Sequence, residues 1–79
     1  MRVYIKPGCP WCVDAIDYLK REGYEFEEID VIANPDQFDE MRRISGQSCA
    51  PTMTLGDLLL ADFGVDELKD FIAEHDLQP

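Results

Sequence analysis

Over residues 1–31 the hydrophobic period changes twice, and this limits the fold more than any other feature of the chain. Val3-Tyr4-Ile5 is a short β-prone run that stops at the breaker pair Pro7-Gly8. Cys12, Ala15, Ile16 and Leu19 then recur at i, i+3, i+4 and i+7, one face of a helix, with Asp14, Asp17 and Lys20 off it. Pro10 suits the first helical position, where no amide donor is needed, and Gly23 suits the stop. From Tyr24 to Val31 the pattern returns to alternation, which predicts a second strand. Two strands joined through a helix lie parallel, with a right-handed crossover.

The rest of the chain completes one sheet. Asn34 is placed to cap a second helix, with Pro35 at its first position, Asp36 suiting the dipole and Gln37 completing a capping-box pattern. Phe38, Met41 and Ile44 mark the buried face of that helix, and Arg42 and Arg43 in the last turn complement its dipole. Thr52–Leu55 and Leu58–Ala61 read as strands joined by Gly56-Asp57, a two-residue hairpin of the Gly-first kind. Val65, Leu68, Phe71 and Ile72 give a last amphipathic helix. The predicted order is βαβαββα, an α/β fold. Its compact form is a four-stranded mixed sheet with helices on both faces, built as one domain from residues 1–79.

Charge and cysteine usage narrow the function. Seventeen acids stand against seven bases, a net charge of −10, which disfavours nucleic-acid backbones and anionic membranes as partners. The imbalance is uneven: residues 1–24 carry four bases and three acids, so this N-terminal segment is expected to be near neutral on an acidic body. Leu58 to Ala61 is the longest apolar run, and Met1 to Lys6 reads as a strand rather than a signal peptide. Three cysteines, an odd number, do not suit a secreted disulfide scaffold. A reducing, cytoplasmic compartment is expected, and a monomer.

Cys9-Pro10-Trp11-Cys12 carries the chemistry. It lies where a strand and a Pro-Gly turn feed a helix, which puts Cys9 at the N-cap and Cys12 at N3. Free backbone amides and the positive end of the helix dipole favour a thiolate there, and Lys6 upstream adds to this. Cys12, one turn on, points further inward. The pair offers an attacking thiolate and a resolving thiol. A zinc knuckle would normally need a second cysteine pair, and only Cys49 and His75 remain, so no metal is expected.

Three segments together resemble the glutaredoxin family: Tyr4 to Cys12, the Ser45-Gly46 helix end, and Ala50-Pro51 before a strand. The resemblance implies a thioredoxin-like fold and a thiol–disulfide oxidoreductase with Cys9 as nucleophile and Cys12 as resolving cysteine. It also implies a cis Ala50–Pro51 bond beside Cys9. Ala50-Pro51 and the stretch Phe63-Gly64-Val65-Asp66-Glu67-Leu68 look more like the glutaredoxin-like redoxins that serve ribonucleotide reductase. Members of that group are typically recharged by thioredoxin reductase. The implied partners are therefore disulfide-containing proteins, with glutathione or a thioredoxin-reductase-like flavoenzyme as reductant. A metal or iron–sulfur carrier using Cys9 is the alternative of a different class.

The remaining residues each admit two readings. Trp11 is either core or, on the exposed first turn of a helix, an apolar docking surface. Lys6 either contacts a glutathione carboxylate and supports the Cys9 thiolate, or is a solvated strand-end lysine. Ala50 and Pro51 are binding residues by the resemblance. Cys49 is expected to pack as a small buried residue, the other reading being an alternative disulfide or a glutathionylated thiol. His75 is expected at the surface.

Overall fold

The computed structural model describes all residues, 1–79. Seven elements follow in the expected order: β1 (Arg2–Ile5), α1 (Pro10–Arg21), β2 (Glu27–Asp30), α2 (Pro35–Ser45), β3 (Thr52–Leu55), β4 (Leu58–Ala61) and α3 (Val65–Glu74). The sheet order is β2-β1-β3-β4. β1 pairs β2 in parallel, with Arg2 opposite Glu27, and pairs β3 antiparallel, with Val3 opposite Met53. β3 and β4 form the hairpin, and Gly56 takes the left-handed φ of 58° that a Gly-first turn requires. No helix is long and apolar enough to cross a membrane.

Each face of the sheet has its own cover, because neighbouring strand residues point to opposite sides. Val3 and Met53 face α1 and α3, where Ala15, Leu19, Leu68 and Phe71 close around them. Tyr4, Ile29 and Val31 face the other way and pack on Met41 of α2. The helical face read from the sequence, Cys12, Ala15, Ile16 and Leu19, is buried throughout. Phe63 belongs to no periodic run, yet it is fully buried in the α1–α3 core.

Two local expectations are corrected. The second strand is Glu27–Asp30, not residues 24–31. β1 offers only four residues to pair, and the Tyr24 amide instead donates to Leu19 O at the end of α1. Asn34 does sit at the N-cap of α2, but the capping box does not form. Its Nδ2 donates back to Asp30 O (2.9 Å), and Gln37 Oε1 accepts from Arg2 (3.1 Å) instead. Asp30 takes over the local turn, its Oδ1 accepting the amides of Ile32 and Ala33.

Candidate active site

β1 ends at Ile5, and the Pro7-Gly8 turn delivers the chain to the N-terminus of α1, so the two cysteines lie at the end of a central strand. Cys9 is the N-cap residue, with extended backbone, and Pro10 occupies the first helical position. The Cys12 amide, which would otherwise lack an intrahelical partner, donates to Cys9 Sγ at 3.3 Å. Cys9 is half-buried, whereas Cys12 is only 1% exposed. Burial, helped by its hydrogen bond to Cys9, pushes the Cys12 thiol up to about 12. One sulfur is thus reachable and receives a backbone donor, while its neighbour is enclosed and holds its proton.

The loop before β3 forms the other wall. The Ala50–Pro51 bond is cis, as the resemblance implies, and Ala50 O lies 3.9 Å from Cys9 Sγ. Gln47 organises this loop: its Oε1 accepts the Cys49 amide, and its Nε2 faces Cys49 O and Thr52 Oγ1, each at 3.2 Å. The buried Thr52 hydroxyl donates to Cys49 O at 3.0 Å. Lys6 is not a freely solvated strand-end lysine. Its Nζ donates to Ser48 O at 2.7 Å and stands 5.0 Å from the centre of the Phe38 ring, tying the turn before Cys9 to this loop.

Cys49 is a correction: it is exposed, not a buried packing residue. Thr52 takes the inward, fully enclosed position, and the Gln47 side chain engages both backbone groups of residue 49, so the thiol is left outside. Trp11 is 55% exposed, so the core reading does not hold. Its ring lies against Gly64, where an added Cβ would come within 3.6 Å of Cε3. Arg42 and Arg43 pair with Asp39 and Glu40 one turn back, and His75 is exposed against Phe71.

The redox segment is not surrounded by neutral surface. Folding brings Asp66 and Glu67 of α3 beside Trp11 and Asp14, and these residues with Gly64 and Val65 line a groove of about 260 Å3. The near-neutral count over residues 1–24 therefore does not describe the finished site. Sequence reading also missed Gln47, Thr52 and Phe63. Phe63 lay in a quoted motif and Thr52 at the start of a quoted strand, but neither carried a site role there, and Gln47 lay in no quoted segment. No group of three or more His, Cys, Asp or Glu side chains is arranged to hold a metal ion.

A close dithiol opening a helix, facing a proline-led strand of a mixed sheet, defines a redox protein of the thioredoxin-like fold. Within that class the sequence model of the glutaredoxin family matches residues 2–60, and the chain belongs to the glutaredoxin family. Over 72 residues it is 29% identical to an uncharacterized glutaredoxin-like 8.6 kDa protein in a rubredoxin operon of Clostridium pasteurianum, covering 91% of this chain and 96% of that one. The glutaredoxin of Archaeoglobus fulgidus is structurally similar, with a TM-score of 0.78 at 28% identity over 90% of this chain and 83% of that one. NrdH-redoxin of Escherichia coli, a glutaredoxin-like protein with a thioredoxin-like activity profile, gives a TM-score of 0.71 at 28% identity over 89% and 93%.

Proposed function

We propose that this glutaredoxin-like redox protein is a thiol–disulfide oxidoreductase in which Cys9 attacks and Cys12 resolves. The carrying observation is the asymmetry of the pair: an accessible Cys9 Sγ receiving the Cys12 amide at 3.3 Å, beside a thiol buried and held protonated to about 12. Cys9 thiolate attacks one sulfur of a substrate disulfide, forming a mixed disulfide and releasing the other sulfur as a thiolate that takes a proton. Cys12 then gives up its proton and attacks Cys9 Sγ, releasing the second substrate thiol. Closing the Cys9–Cys12 disulfide leaves the protein oxidised by two electrons, which the two released substrate thiols now carry, and a dithiol or two monothiols restore them to the protein. Trp11, Lys6, Ala50 and Pro51 frame the approach to Cys9, Lys6 through the loop it holds at Ser48. We place this chemistry in the cytoplasm, acting on protein disulfides or on glutathione mixed disulfides, with glutathione as reductant.

A second reading changes the electron donor to a thioredoxin-reductase-like flavoenzyme, with ribonucleotide reductase as acceptor. The groove beside Trp11 favours it, because three carboxylates and no base oppose a reductant that carries two carboxylates of its own. The likeness to NrdH-redoxin supports it as well. The test is NADPH oxidation coupled either through glutathione and its reductase or through thioredoxin reductase, run with wild type, Cys9→Ser and Cys12→Ser. Cys9→Ser abolishes turnover in both couplings, and Cys12→Ser retains only removal of glutathione from mixed disulfides. Full activity of Cys9→Ser would refute the assignment, and efficient turnover with glutathione alone would remove the second reading.

A further inference from the structure

We propose that the groove beside Trp11 docks a cationic segment of the substrate protein, an arginine- or lysine-bearing stretch next to the disulfide that Cys9 attacks. The inference deepens the function proposed above and takes from it the role of Cys9. Four observations carry it. The groove is positioned for substrate, because Trp11 lies between the two cysteines on the first turn of α1, more than half exposed and backed by Gly64. Its other charged walls are Asp14, Asp66 and Glu67, with no Lys or Arg among its lining residues.

Those three carboxylates are also unpaired. The chain's ion pairs use Glu27, Glu28, Asp39 and Glu40, and none of the groove acids takes part in one or in a side-chain hydrogen bond. Lys69, on the same helix as Asp66 and Glu67, stands instead over the Tyr18 ring at 5.5 Å. Finally, helix electrostatics do not account for the set. Asp66 and Glu67 complement the N-terminus of α3, but Asp14 lies beyond the first turn of α1, which carries no acid.

An indole face edged by free carboxylates is matched by a guanidinium, which stacks on the ring and gives charged hydrogen bonds to the rim. An anionic segment would be repelled on the same ground. The charge borders Trp11, the residue between the two cysteines, so it selects among disulfides by what flanks them and speeds encounter with a basic partner.

Two measurements test this. In the first, peptides with one identical intramolecular disulfide, flanked by arginines, by glutamates or by neutral residues, are compared by kcat/KM. At low salt the arginine peptide is expected to exceed the glutamate peptide about tenfold, falling to about twofold at ~0.5 M salt as screening removes the field. The double variant Asp66→Asn with Glu67→Gln brings the ratio down by about threefold or more at low salt, whereas Glu25→Gln with Asp57→Asn, away from the groove, leaves it. A ratio near one in wild type, or an equal loss in both double variants, would overturn the proposal. The second measurement needs no catalysis. Trp11 is the only tryptophan, so its fluorescence is titrated with cysteine-free arginine and glutamate peptides. A saturable change with the arginine peptide alone supports the docking surface even if peptide disulfides are not reduced. Identical responses to both peptides refute it and leave the role of Cys9 standing.

Discussion

Replacing Gln47 should weaken both the fold and the site, and the size of the effect follows from its bonds. The side-chain carbonyl accepts the Cys49 amide, and the amide nitrogen faces three oxygens, on Ser45, Cys49 and Thr52, each at 3.2 Å. An NH2 group has two hydrogens, so at most three bonds form at once, counting the one accepted. Cys49 is exposed, so its freed backbone groups return to water, and Ser45 Oγ keeps its bond to Met41 O. Thr52 is fully buried but keeps its own bond to Cys49 O, so no buried group is left orphaned. With net values of about 0.5–1.5 kcal/mol for each bond and partial rehydration, the loss is about 1.5 kcal/mol.

In a chain of this size that corresponds to a fall in Tm of roughly 6–12 °C. The same loop sets Ala50 O 3.9 Å from Cys9 Sγ, so kcat/KM for a peptide disulfide should fall about threefold to tenfold well below the melting range. Gln47→Met, which keeps the length and removes the bonds, separates hydrogen bonding from packing. The assays are urea denaturation and peptide-disulfide reduction on the same preparations. If Gln47→Met matched wild type within about 0.3 kcal/mol and kept full kcat/KM, the reasoning would fail, since a deletion well under the usual net bond strength means the network carries no weight.

Two further outcomes follow from burial. Cys12 has its ordinary value of 9.0 in the unfolded chain and about 12 in the folded one, so the unfolded state loses its proton first as pH rises. The contribution is therefore complete below pH 9 and disappears between 9 and 12, which should steepen the alkaline loss of stability. Urea midpoints at pH 8 and pH 10.5 check this, and an unchanged slope in Cys12→Ala would contradict it. Phe63→Ala removes a fully buried ring from the α1–α3 core, and about 3–5 kcal/mol should go with it. A thermal melt within 2 °C of wild type would show that the ring is not part of the packed core.

The parts of the site legible in the chain are those built over a few consecutive residues. Cys9 at the N-cap, Pro10 after it and Cys12 at N3 follow from spacing, because the N3 amide of any helix lies within reach of its N-cap side chain. The Gly56 turn and the buried stripe of α1 are legible for the same reason, since each is written in neighbouring residues, and the βαβ crossover follows from the order of those local elements. β2 was over-read at both ends. Alternation signals extended backbone, but how many residues pair is set by the length of β1 and by the use of the Tyr24 amide at the end of α1.

What stayed hidden depends on contacts between distant segments. Lys6 meets Ser48 across 42 positions, a bond that neither residue type announces. Cys49 has the composition of a buried residue, and it lies outside because Gln47 and Thr52 occupy the polar and the enclosed positions around it. Counted along the chain, the acids seemed to avoid the redox segment, but α3 folds back and sets Asp66 and Glu67 beside Trp11. Spacing along the backbone was enough to reveal a dithiol at a helix start. The charge and accessibility around it could be read only from the folded chain, because those are properties of neighbours in space.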